Sequence, residues 1–200
     1  MPTITVKPIN QSPLEKWVKA WPLAIDAVKD TQAFKSLNSD FWHVHDFEPG
    51  KGGQTEVLWV TYRPRSMLIS SLEVHWLTEQ AVVPLGSAPL IQVLCPTKQG
   101  TKEPDLDKIE AWQILPGQGI CMMPGCWHAT LAIESEVNAM MLTRRSTTLD
   151  LVKQLNESNS NSNPNSQKTR VNSEDQLESS FFTGAQMPVF DLNLSLLKQI

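Results

Sequence analysis

The chain has 200 residues, with 17 Lys and Arg against 21 Asp and Glu for a formal net charge of -4. A hydrophobic share of 40% and a charged share of 19% describe one globular domain plus a tail. That balance carries no basic footprint for nucleic acid, and no run approaches the ~18 apolar residues of a membrane span.

The opening Met-Pro-Thr-Ile-Thr-Val-Lys has no charged n-region followed by an apolar run, so a signal peptide is not expected and the cytoplasm is the expected compartment. Cys95, Cys121 and Cys126 do not make a disulfide framework and read as buried small hydrophobes. Ser12 as a cap, Pro13 at a first helical position and Glu15 closing a capping box predict a helix over 12–21. Leu14, Trp17, Val18 and Trp21 fall at helical spacing, and a second helical stretch is expected to about Leu37. Both helices would form a cover over the remainder of the domain.

From about residue 41 the texture becomes short alternating apolar runs. Strands are expected at 55–62, 67–76, 80–85, 90–95, 110–115, 119–123, 128–133 and 137–143, separated by Gly- and Pro-containing turns. About eight close-set strands predict a mainly β fold, a cupin-like double-stranded β-helix (jelly-roll) barrel with an N-terminal helical cover. Residues 1–150 would form this domain. In 156–167, five Asn and four Ser fill nine of twelve positions, so 151–186 is expected as a flexible linker. Residues 187–200 regain apolar character and would dock as a strand or short helix on the barrel, a neighbouring subunit or a partner.

Three segments carry chemistry. Alternation along 67–76 puts Ser71, Glu73 and His75 on one strand face. A carboxylate and an imidazole two residues apart can do acid–base work or bind a metal. The turn at Pro124-Gly125 is followed by Trp127-His128, which would send His128 and Thr130 into a pocket with Trp127 as its wall. His43-Val44-His45 offers a competing metal set, His43, His45 and His128.

Leu72-Glu73-Val74-His75, then Thr78-Glu79-Gln80-Ala81-Val82-Val83-Pro84, then Pro104-Asp105-Leu106, Gly117-Gln118-Gly119 and Trp127-His128-Ala129 resemble, in order and spacing, the ureidoglycolate lyase family. The resemblance runs from about residue 67 to 145. Thr130 stands where the family has Pro, Trp76 where it has Pro, Glu110 where it has a basic residue, and Met122 and Met123 where many members have Tyr and His. The resemblance implies a cupin-like enzyme of purine and allantoin catabolism that releases urea and glyoxylate from ureidoglycolate, a homodimer with nickel or manganese as its divalent metal. It places Glu73, His75 and His128 as catalytic residues, Gln80 and Trp127 at the substrate, and His75 and His128 as metal ligands; Thr130, on the strand face of His128, is expected at the substrate as well.

Cleaving a hemiaminal requires a base for the hydroxyl proton, an acid for the departing nitrogen and a counter-charge for the carboxylate. His128 or Glu73 would be the base and His75 the acid or a ligand. Arg63, Arg65, Arg144 and Arg145 are the candidates for the counter-charge. The alternatives are a metal-dependent cupin oxygenase or isomerase and a diverged cupin that senses another small carboxylated molecule.

Overall fold

The structure is a computed structural model that describes residues 1–9, 14, 16–21, 34–161 and 178–197. Its strands are β1 (Thr3–Pro8), β2 (Val18–Trp21), β3 (Phe34–Lys35), β4 (Asp40–Phe41), β5 (Thr55–Tyr62), β6 (Leu68–Ile69), β7 (Ser71–His75) and β8 (Gln80–Pro84). They continue as β9 (Leu90–Cys95), β10 (Glu110–Ile114), β11 (Gly119–Met122), β12 (Trp127–Leu131), β13 (Val137–Arg144), β14 (Ser179–Thr183) and β15 (Phe190–Asn193). One helix, α1, spans Arg145–Asn161.

An eight-stranded sheet, ordered β14-β7-β12-β9-β10-β1-β15-β6, faces a five-stranded sheet, ordered β2-β11-β8-β13-β5. This is the mainly β, cupin-like arrangement that the strand spacing predicts. Side-chain alternation sorts the interior. Leu90 and Leu94 of β9, Trp112 and Ile114 of β10, Val82 of β8, Ile120 and Met122 of β11, and Ala139 and Met141 of β13 share one buried cluster. Their odd-and-even neighbours Ile91, Val93, Leu72 and Val74 turn the other way and join Ile4, Val6, Phe190 and Leu192 in a second core. Residues on the first face therefore line the space between the sheets.

The N-terminal helical cover is not supported by the described residues. Among the described residues before position 34 the regular elements are strands. The amides of Trp17 and Val18 both donate to the Leu14 carbonyl, at 2.8 and 2.9 Å. That single turn accounts for the helical spacing of Leu14, Trp17 and Val18. The chain then straightens into β2, which pairs antiparallel with β11 from Val18↔Met122 to Trp21↔Gly119. Ser12, Pro13, Glu15 and most of the second expected helix lie outside the described residues.

The C-terminal region contributes strands toward both edges of the large sheet. Helix α1 reaches through Asn161, and β14 pairs with β7 over Ser179↔His75 to Thr183↔Ser71. Within 187–200, β15 docks on the barrel, parallel to β1 and antiparallel to β6.

Candidate functional site

The site forms where strand register brings polar residues together at one end of the inter-sheet space. Cross-strand pairing sets His128 of β12 opposite Glu73 of β7, and Ser179 of β14 opposite His75. Thr130 stands opposite Gln92 of β9 and donates to its side-chain oxygen at 2.9 Å. From the other sheet, Gln80 of β8 reaches His75 Nε2 at 2.9 Å. Residues expected at one face of one strand thus meet partners from β8, β12 and β14.

The hydrogen bonds fix the tautomer of His75. Gln80 Nε2 is an amide donor, so His75 Nε2 accepts and His75 Nδ1 donates to Ser179 Oγ at 3.0 Å. Burial pushes His75 down to about 4, with His128 acting in the same sense and Glu73 opposing, so its ring is neutral at physiological pH. His128 Nδ1 donates to the Cys126 carbonyl at 3.0 Å, which leaves Nε2 facing Glu73. That Nε2 is buried and makes no hydrogen bond. It lies 3.2 Å from Glu73 Oε1, at ion-pair distance but outside hydrogen-bond geometry. Burial acts to raise the Glu73 carboxyl, yet the neighbouring His128 and the Arg65 charge hold it below its ordinary value, and it is ionised.

A cavity of about 180 Å³ opens against this pair, with Tyr62, Arg65, Glu73, His128, Thr130 and Phe181 in its wall. That is below the ~300–1,000 Å³ of drug-sized sites and suits a small metabolite. Burial pushes the Tyr62 phenol up to about 12; a hydrogen bond with Thr130 opposes this and the Glu73 charge adds to it. The phenol keeps its proton and can donate. Arg65 is exposed at the cavity rim, and what burial it has lowers its guanidinium from its ordinary value while Glu73 opposes.

The expected site residues separate into three groups. Glu73, His128 and Thr130 line the cavity. His75 and Gln80 sit deeper, with the His75 ring 5.2 Å from that of His128. Trp127 does not wall the pocket. Adjacent residues of a strand face opposite ways, so its ring joins the second core, edge-on to Trp76 at 5.7 Å and Phe182 at 6.0 Å. The set His43, His45 and His128 is not assembled either: His45 contacts Glu79 at 2.8 Å and His43 faces Asp46 at 3.3 Å.

Of the four arginines considered for a counter-charge, Arg65 lines the cavity. Arg63 pairs with Glu136 at the surface, and Arg144 binds Ser146, Glu178 and the Pro49 carbonyl. Arg145 begins α1. Ser179 and Tyr62 are the functional positions that sequence reasoning missed. Tyr62 was legible only as the end of a strand, and Ser179 lies 104 residues from the histidine it holds.

The sequence model of the family described as ureidoglycolate lyase matches residues 1–163. The chain belongs to the ureidoglycolate lyase family. The family is described by a lyase activity. No curated protein sequence matches the chain. Solved structures similar to this family member include RmlC from Streptococcus suis in complex with dTDP-D-xylose, at 10% identity and a TM-score of 0.36, covering 44% of this chain and 43% of that one. A dTDP sugar isomerase from Desulfovibrio desulfuricans G20 is similar at 11% identity and a TM-score of 0.39, covering 62% and 74%. The dTDP-4-dehydrorhamnose 3,5-epimerase from Elizabethkingia anophelis NUHP1 is similar at 9% identity and a TM-score of 0.36, covering 55% and 63%. The chain thus spans less than half the length of the first of these structures and under two thirds of the third.

Proposed function

We propose that the chain cleaves ureidoglycolate to glyoxylate and urea in the cavity beside Glu73 and His128. The observation that carries this reading is His128 Nε2, buried and without a hydrogen-bond partner, set 3.2 Å from the Glu73 carboxylate at the cavity wall. A base placed there takes the hydroxyl proton of the hemiaminal. As the O–H electrons form the new carbonyl, the C–N bond breaks and its electron pair leaves on the urea nitrogen. The proton on His128 then passes to that nitrogen, which balances the reaction. Glu73 stabilises the imidazolium between the two transfers and orients its ring.

Arg65 supplies the counter-charge for the substrate carboxylate, and the protonated Tyr62 phenol adds a neutral donor beside it. His75 is a positioning residue in this scheme, held neutral by burial and by Gln80 and Ser179.

A divalent metal, nickel or manganese, fits the same residues. Glu73, His75 and His128 each present a ligand atom within 4.8 Å of the others. His128 Nε2 is already without a donor, while His75 Nε2 would have to exchange Gln80 for the metal. Bound there, such an ion polarises a hydroxyl and lowers its pKa. A homodimer in the cytoplasm is the assembly and compartment we propose for the enzyme. Among the described residues no helix is long and apolar enough to cross a membrane.

The test is urea and glyoxylate release from ureidoglycolate by the wild-type chain and His128→Ala, with and without added nickel or manganese. Loss of His128 is expected to lower kcat by about 10²–10⁴-fold. An unchanged rate removes His128 from the chemistry, and no release by the wild-type chain under any metal condition overturns the substrate.

A further inference from the structure

A second cluster lies on the opposite face of the small sheet. His45 Nε2 is 2.8 Å from Glu79 Oε2, and Cys121 Sγ is 3.6 Å from the same oxygen. The three ligand atoms lie within 4.8 Å of one another. They come from three places: the segment before β5, the residue preceding β8, and β11. Glu79 and Cys121 are buried. We propose that His45, Glu79 and Cys121 form a binding site for a thiophilic divalent cation, zinc by chemistry, separate from the cavity at Glu73 and His128.

The donor set favours this ion. Imidazole, carboxylate and thiolate together suit zinc, and the interior cluster offers no sulfur. Metal–ligand lengths of about 2.0–2.3 Å in a tetrahedron place ligand atoms roughly 3.3–3.8 Å apart. The Glu79–Cys121 separation of 3.6 Å already meets that. The His45–Glu79 contact is a hydrogen bond at 2.8 Å and has to open by less than about 1 Å, on a residue outside any strand. The His45 side chain is 18% exposed, which leaves an entry path and a fourth position for water.

The surroundings hold the site in place. The Glu48 amide donates to Glu79 Oε2 at 2.9 Å, and the Glu79 amide donates back to the Glu48 carbonyl at 3.2 Å. With the cation bound, the Glu48 amide would remain as the outer contact that orients the carboxylate. Trp21 stands 6.1 Å from the His45 ring. It fits because Gly119 has no side chain: a Cβ there would come 2.8 Å from Trp21 Cε3. Burial, with Glu79 beside it, pushes the Cys121 thiol up, so cation uptake would release its proton. The site is linked to the cavity by one peptide bond, since Glu79 faces outward and Gln80 inward to His75.

Cobalt binding by the full purified chain tests this, because a thiolate ligand to cobalt gives a charge-transfer absorption that nitrogen and oxygen ligands do not. The expected result is that band at one equivalent, lost on zinc addition, abolished in Cys121→Ser and unchanged in His128→Ala. His45→Ala is expected to weaken cobalt affinity at least tenfold, and it serves should Cys121→Ser fail to fold. Absence of the band in the wild-type chain overturns the site, as does its persistence in Cys121→Ser or at full affinity in His45→Ala. Each readout is independent of whether ureidoglycolate is cleaved.

Discussion

At His75, burial outweighs charge. The unfolded ring takes a proton near pH 6.5, and the folded one only near 4. Between those values the unfolded chain holds the extra proton, so stability is lost as pH falls through the window and is fully present above it. At ~1.4 kcal/mol per pH unit the loss approaches about 3 kcal/mol. Denaturation midpoints are expected to drop from pH 6.5 to 4 in the wild-type chain, with a flatter profile over that range in His75→Gln. Glu73, held below its ordinary value, adds its own loss only at more acid pH. Arg65→Met separates binding from chemistry: it should lower kcat/KM about ten- to hundredfold, as removing a charged hydrogen bond does, mainly through KM. His128→Ala should act on kcat instead. Glu73, His75 and His128 were legible because strand alternation and the Pro124-Gly125 turn are local signals. The same alternation, applied across Trp127 and His128, separates the two, and the pocket wall had to come from elsewhere. Arg65 sits in a segment with no motif, where only the folded chain shows which of four arginines reaches the cavity.

The strands themselves were legible where a period of two meets a turn on each side. β5 and β9 coincide with the alternating runs at 55–62 and 90–95. At the N-terminus the reading failed because one turn at Leu14 imitates helical spacing before the chain straightens. β14 gave little signal, for Ser-Ser-Phe-Phe-Thr is short and follows a polar stretch. Its placement comes from tertiary contacts: Glu178 accepts from Ser146 and Thr147 of α1 at 3.0 and 2.6 Å, and the Ser179 amide donates to Asp150 at 3.0 Å. The segment that carries His45 depends on Gly50 in a comparable way. Gly50 and Gly52 both have left-handed φ, of 79° and 69°. A Cβ on Gly50 would lie 1.9 Å from the Leu77 carbonyl oxygen, whereas one on Gly52 meets nothing. Gly52→Ala should therefore cost about 1–2 kcal/mol, the conformational term alone. Gly50→Ala should cost clearly more, because backbone has to move. Thermal melts of the two variants give the comparison directly.

For the molecule as a whole, the two described ends close the large sheet. β1 lies between β10 and β15 and runs parallel to both. Phe190 and Leu192 share a core with Ile4 and Val6, so the last strand supports the first. Phe190→Ala is expected to destabilise the chain by about 3–5 kcal/mol, as for other buried aromatics, measured by urea denaturation. A disproportionate fall in activity at temperatures where the variant remains folded would show that the second core also tunes the cavity. The low-complexity composition of 156–167 hid β14, which falls in the stretch expected as a linker, whereas the apolar return at 187–200 pointed to the docking strand β15.

The hydroxyl that accepts from His75 Nδ1 belongs to Ser179, which the ribosome adds 104 residues later. At ~5–20 residues per second that interval is about 5–20 s. Over its second half the nascent chain already contains Glu73, His75 and His128, and the β7 edge that β14 will cover is still open. The catalytic layer is therefore completed at the end of synthesis. A translation product that stops before residue 178 carries every acid and base of the proposed mechanism, but lacks the hydroxyl that sets the imidazole beside them.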